Sequence, residues 1–149
     1  MVRDEASEHE PPVRPNKSPT PGAAGDAEFA RGEALRKGEG VQKNPIEAWG
    51  WYQRAAEMGH AGALHRMGVL YALGEGVPKD DVKAVRFHRL AAELGFAEAQ
   101  YDLGVRCILG LGTPKDEKAG LEWYRKAAAQ GWPEAIEALR QREVSARGK

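Results

Sequence analysis

Apolar residues in the middle of the chain fall at helical spacing. Ala63, Leu64, Met67, Leu70 and Tyr71 recur three or four positions apart, the spacing that lines one face of an α-helix. The segment Gly74-Glu75-Gly76-Val77-Pro78 then interrupts the pattern. A glycine just past a helix end closes it in the left-handed conformation, and proline prevents its resumption. A second helix is expected after Asp80, because an aspartate there can accept an orphan backbone N–H bond.

This arrangement recurs every 36 residues without a gap. Ala55-Ala56, Ala91-Ala92 and Ala127-Ala128 hold one phase. Gly38, Gly74 and Gly110 hold a second, Gly59, Gly95 and Gly131 a third, and Asn44, Asp80 and Asp116 a fourth. Pro45 follows Asn44 at the first helical position, where a missing N–H is harmless. Trp49/Val85/Leu121, Trp51/Phe87/Trp123 and Ala55/Ala91/Ala127 are apolar in every unit. The unit reads as helix, loop, helix, tight turn. A period of this length marks a stack of supersecondary units that bury their apolar faces against one another. The expectation is an all-α solenoid of three units, 25–60, 61–96 and 97–132, with a capping helix over 133–143.

Gly32, Gly68 and Gly104 fall in the middle of the first helices, where glycine costs about 1 kcal/mol relative to alanine. Repetition at one phase predicts close approach of another helix. The Ala-Ala pairs of the second helices are the expected counterparts.

Residues 1–25 hold Pro11, Pro12, Pro15, Pro19 and Pro21 and no Leu, Ile, Phe or Trp. Such a segment buries too little apolar surface to offset its ordering entropy, so a disordered Pro-rich arm is expected. Its Pro12-x-x-Pro15 spacing suits a polyproline ligand less well than a tether. Residues 144–149 are expected to form a frayed basic tail.

Composition narrows the function classes. The 149 residues carry a formal net charge of zero, which gives no global attraction to nucleic acid or an anionic membrane. No apolar run approaches the roughly 18 residues of a membrane span, and no signal peptide precedes the repeats, so a cytoplasmic location is expected. Cys107 is the only cysteine, which excludes an intrachain disulfide and a thiolate metal cluster. It is expected to face inward as a small hydrophobe.

Several phased positions together resemble a known family. The second unit reads Ala63-x-x-x-Met67-Gly68-x-x-Tyr71-x-x-Gly74-x-Gly76-Val77-x-x-Asp80, then Lys83-Ala84-x-x-Phe87-x-x-x-Ala91-Ala92-x-x-Gly95. The third carries Leu103-Gly104, Gly110-x-Gly112, Asp116, Trp123-Tyr124-x-Lys126-Ala127-Ala128 and Gly131. This is similar to the Sel-one-like repeat, a relative of the tetratricopeptide repeat. The resemblance covers roughly residues 25–139 and implies a solenoid that scaffolds or regulates protein complexes. Some family members credited with enzymatic activity are cysteine-rich and disulfide-stabilised, an architecture one cysteine excludes. Arg31 and Lys37 stand where Met67 and Leu73 stand in the second unit, as expected of a polar N-terminal cap. Arg140 replaces the mid-helix glycine after Leu139, as expected of a lid, so the array reads as complete. His88 stands where the other units have Tyr52 and Tyr124, and Cys107 where the second has Tyr71.

Stacks of this type generally bind along a concave face lined by their first helices. Carried over by phase, that face holds Phe29, His65 and Tyr101 as a ladder of rings. Glu33, Val69 and Val105 lie one turn on, with Arg36 near the rim and Arg106 beside Val105. Rings anchor interfaces at low entropic cost, and a partner peptide or helix would lie across them. The expected function is a non-enzymatic, monomeric adaptor or regulator that holds another protein. The alternative is binding of a small cell-wall or metabolite ligand in a concave pocket with convergent polar groups.

Chemistry is otherwise sparse. The Gly-x-Gly loops follow helices, whereas phosphate loops follow strands, so they are read as turns. No nucleophile sits with His and acid partners in a recognisable motif, and no cofactor is expected. His9, His60, His65 and His88 include no i, i+4 helical pair and no cysteine at ligand spacing, so no metal is expected.

Overall fold

A computed structural model describes residues 24–148. All but the last two residues of the expected Pro-rich arm lie outside that range. Among the described residues there are seven helices and no strand. They are α1 (Asp26–Lys37), α2 (Pro45–Glu57), α3 (Ala61–Leu73), α4 (Asp81–Glu93), α5 (Ala97–Leu109), α6 (Glu117–Ala129) and α7 (Pro133–Arg147). Each helix packs chiefly against the next one in the chain, the arrangement of a quasi-one-dimensional stack. The described residues form an all-α solenoid of three two-helix units followed by one further helix.

Hydrogen bonding explains why the same loop recurs. Asn44, Asp80 and Asp116 each accept a side-chain bond from the amide three residues on, at 3.0 Å in all three cases. At the other end of the loop, the amides of Gly74 and Glu75 both donate to the Leu70 carbonyl, at 2.8 and 3.0 Å. Gly110 and Leu111 do the same to Arg106. The Asp80 amide then donates back to the Tyr71 carbonyl at 2.9 Å. Orphan groups at both helix ends are thereby satisfied within one short connection.

The core runs through the stack as three apolar clusters. Leu35, Ala48, Tyr52, Met67 and Leu70 join the first unit to the second. Val85, Ala91, Ala92, Ala99, Leu103 and Cys107 join the second to the third. Ala97, Ile108, Tyr124, Ala127, Trp132 and Ala135 close the third unit against α7. Cys107 is buried, and burial pushes its thiol above the usual range, consistent with an inert apolar role.

Two local expectations need correction. The counterparts of the mid-helix glycines are rings, not alanine pairs. A Cβ added at Gly32 would stand 2.6 Å from the Tyr52 ring, at Gly68 2.5 Å from the His88 ring, and at Gly104 2.6 Å from the Tyr124 ring. The ring of the second helix packs against the glycine of the first in every unit, so the glycine phase and the ring phase are one device. The last helix also runs on to Arg147, past the expected boundary at residue 143, because no glycine or proline intervenes before Gly148. Arg31 is exposed, as expected of the polar cap, and its guanidinium lies 5.1 Å from the centre of the Trp51 ring.

Two glycines of the same residue type should therefore respond oppositely to alanine. Gly104→Ala must displace Tyr124 and meets the Gly120 carbonyl at 2.9 Å, so it should cost about 2 kcal/mol from overpacking. Gly50 lies within α2 with nothing near its absent Cβ. Gly50→Ala should gain about 0.5–1 kcal/mol from helix propensity. Urea melts of the two variants would check the sign; a loss of stability in Gly50→Ala contradicts it.

Candidate partner-binding groove

The three first helices do not present one continuous ladder of rings. Phe29 on α1 is half-buried, its ring 4.7 Å from His60 and 5.8 Å from Tyr52. His60 is itself fixed: its Nδ1 accepts the Ala63 amide at 3.1 Å, and its Nε2 therefore carries the proton it donates to Asp26 at 3.0 Å. His65 on α3 is only 3% exposed, beneath the surface rather than on it. Tyr101 on α5 is half-buried and stacks on Tyr124 with ring centres 5.1 Å apart. Equal phase put these residues on equivalent helix positions, but the neighbouring side chains differ and so does their depth.

Glu33 and Arg36 belong to a separate polar cluster. Glu33 accepts from the Tyr52 hydroxyl at 2.5 Å, from Arg66 Nη2 at 3.0 Å and from Arg36 Nε at 3.3 Å. Burial alone would raise the carboxyl, but the Tyr52 hydrogen bond, Arg66 and Arg36 outweigh it and hold its pKa below the usual value. Burial, then the hydrogen bond to Glu33 and its charge, push the Tyr52 hydroxyl well above its ordinary range against the opposing pull of Arg36 and Arg66.

The remaining four expected residues do converge. Val69, Tyr101, Val105 and Arg106 line one cavity of about 400 Å³ between α3 and α5, joined there by Leu73, Leu111 and Asp102. Its walls are mainly apolar, and Leu73 and Leu111 are 66% and 42% exposed. Arg106 is held at its edge by Asp81, Nη1 to Oδ1 at 3.1 Å. Asp102 accepts from His65 Nε2 at 2.7 Å.

Sequence reasoning missed Leu73, Leu111, Asp102 and His88 as cavity residues. A signal existed for the first: Leu73 and Leu109 are apolar where the first unit has Lys37. His88 is 2% exposed and reaches the cavity wall from α4. Burial, then the neighbouring His65, pushes its pKa down to about 3, so the ring is neutral at neutral pH. Neither ring nitrogen has a hydrogen-bond partner among the described residues. The reason is visible by phase. Tyr52 occupies the equivalent position in the first unit and bonds Glu33, whereas the equivalent of Glu33 beside His88 is Val69.

A stack of two-helix units with an apolar trough between α3 and α5 defines an α-solenoid of the helical-repeat class. The chain belongs to the Sel1 repeat family, whose model matches residues 25–60, 61–96 and 97–132. It is similar to the crystal structure of a Sel1 repeat protein from Oxalobacter formigenes, with 38% identity and a TM-score of 0.74 over 80% of this chain and 90% of that one. It is also similar to c5321, a protective antigen of uropathogenic Escherichia coli with an SLR fold. There the identity is 36% and the TM-score 0.75, over 77% of this chain and 25% of that one. Cysteine-rich protein B of Helicobacter pylori shares the fold at 20% identity and a TM-score of 0.64, covering 80% of this chain and 99% of that one. No curated protein matches the chain. Sel1 repeats generally build protein-interaction modules, and among the described residues no helix is long and apolar enough to cross a membrane.

Proposed function

We propose that the protein is a non-enzymatic adaptor or regulator, and that a segment of another protein docks in the trough between α3 and α5. One observation carries this reading. Leu73 and Leu111 leave large apolar side chains exposed at the mouth of a cavity whose walls are Val69, Ala72, Val105 and Tyr101. Exposed apolar surface gathered into a concavity is where partner anchors bury. Arg106 and Asp102 set opposite charges beside it, which fixes the direction of an incoming segment more than its affinity. The occupant that suits this lining is a peptide or helix that inserts one or two aliphatic or aromatic side chains. Phe29, Glu33 and Arg36, bound up in their own cluster, act in this reading as support for the first unit rather than as contacts. A monomer in a reducing, cytoplasmic setting is part of the same proposal, supported by the single buried thiol.

Affinity capture with the whole chain tests the site. Leu73→Asp combined with Leu111→Asp alters exposed positions and should leave the thermal melt within a few degrees of wild type. Capture of the partner should fall by at least about tenfold, since a lost hot-spot contact costs upward of 1.4 kcal/mol. Ile46 and Val82, exposed at one phase of the second helices, supply the comparison. If Ile46→Asp with Val82→Asp abolishes capture and the groove variant does not, the interface lies on the other helices.

A further inference from the structure

We propose that His65, His88 and Asp102 form a binding site for one divalent transition-metal ion of the zinc class. The three come from α3, α4 and α5, and each offers a ligand atom within 4.8 Å of the other two. Two imidazoles and a carboxylate are the donor set that zinc takes in sites with one position left open.

The observation that points to a ligand is His88. Its ring is 2% exposed, with both nitrogens unpartnered among the described residues. A buried polar atom left unsatisfied is destabilising, and native structures rarely tolerate it without a reason. The ring cannot withdraw to solvent, because it lies against Gly68. A cation between His88, His65 and Asp102 would partner one of its two nitrogens, the other keeping the ring proton.

The neighbouring groups suit that role. His65 Nε2 and Asp102 Oδ2 already face each other at 2.7 Å. For His65 to ligate through Nε2, its ring proton moves to Nδ1, which faces Glu98 Oε1 at 3.9 Å. A carboxylate that closed from there to hydrogen-bond distance would orient the metal-binding imidazole and raise its basicity. Both rings would ligate as neutral imidazoles, without loss of a proton from the pair. Bonds of about 2.0–2.2 Å bring tetrahedral ligands to about 3.4 Å apart, so the widest separation, up to 4.8 Å, must close by about 1.4 Å while the His65–Asp102 pair opens from 2.7 Å by about 0.7 Å. Asp102, 31% exposed at its side chain, has the freedom to do so. His88 and Asp102 both line the cavity between α3 and α5, which gives an entry path and leaves the fourth position open to solvent. The nearby cation Arg106 is neutralised in part by Asp81 at 3.1 Å.

The spacing test applied to the sequence is blind to this set. Ligands on one helix recur at i, i+4, whereas these lie on three helices and meet only through the stack.

Titration of the chelator-treated whole chain with Zn²⁺ by calorimetry, and with Co²⁺ by visible absorption, tests the proposal. The expected result is one Zn²⁺ per chain, a raised melting temperature and the intense visible band of four-coordinate cobalt. His88→Tyr, which installs the residue of the other two units, and Asp102→Asn each alter a ligand itself and should weaken Zn²⁺ binding by at least about 10–100-fold, the loss seen when only an outer-shell partner of a ligand is removed. His9→Ala should leave it unchanged. Circular dichroism melts establish that each variant is folded. The proposal is overturned if the wild-type chain takes up no stoichiometric Zn²⁺, or if folded His88→Tyr and Asp102→Asn bind it as tightly as wild type.

Discussion

Gly112→Ala should lower folding stability by about 3 kcal/mol, while Gly40→Ala, at the same phase of the first loop, should cost only about 1 kcal/mol. Both glycines adopt left-handed backbone, with φ of +76° and +73°. An L-residue in that conformation costs about 1–2 kcal/mol, and Gly40→Ala incurs little else, since nothing lies near its absent Cβ. At Gly112 the added methyl would run into the backbone carbonyl of Asp81 in the first turn of α4. A backbone group in a capped helix cannot swing aside as a side-chain tip can, so overpacking adds about 1–3 kcal/mol. For a domain of this size the difference corresponds to a melting temperature about 10 °C below wild type for Gly112→Ala and about 4 °C for Gly40→Ala. Equal melting temperatures for the two variants would contradict the assignment of this loop as a contact between units.

The same contact has a consequence for the groove. Leu111 precedes Gly112 and lines the cavity, and Asp81 holds Arg106 at its edge. A shift of the loop relative to α4 therefore moves both an apolar wall and a charged one. The second glycine of the Gly-x-Gly pair is thus where the stacking of units sets the geometry of the trough.

The unit boundaries, the caps and the helix-loop-helix order were all legible in the sequence, because each depends on residues a few positions apart. Asn44, Asp80 and Asp116 could only be read as N-caps, and they cap. What phase does not reveal is which face meets which. Alanine pairs and rings recur with equal regularity in the second helix, and only packing shows that Tyr52, His88 and Tyr124 are the groups lying on the glycines. Phase also makes equivalent positions look equal when their neighbours are not. His65 is covered by His88 and Phe96 at 5.3 and 5.4 Å, whereas Tyr101 keeps part of its ring at the cavity. Exchanging Glu33 for Val69 and Arg66 for Asp102 at matched positions turns a closed polar cluster in the first unit into an apolar trough with an orphaned imidazole in the second. Such pairwise exchanges between units lie beyond any single-position reading.

Glu33→Ala should destabilise the first unit by about 3 kcal/mol, near the lower end of the range for breaking a buried charge cluster. The carboxylate serves three donors at once, and Tyr52 is fully buried. Removing it strands the Tyr52 hydroxyl in the core and leaves Arg66 and Arg36 without their counter-ion. The estimate is kept low because those two side chains remain 26% and 23% exposed, so water recovers part of the loss. Glu33→Gln retains an acceptor for Tyr52 while discarding the charge, and should fall between alanine and wild type. Acid supplies an independent check on the charge. The folded carboxyl titrates below its ordinary value, so between the two values the unfolded chain binds the extra proton. The stabilisation is complete above the unfolded pKa near 4.3 and fades as pH falls below it toward the folded value. Urea melts at several pH values from 7 to 3 should therefore show wild type losing its margin over Glu33→Gln only in the acidic part of that range. A margin that is independent of pH would mean that Glu33 acts through shape and hydrogen bonding alone, and that the arginines around it contribute nothing to the fold.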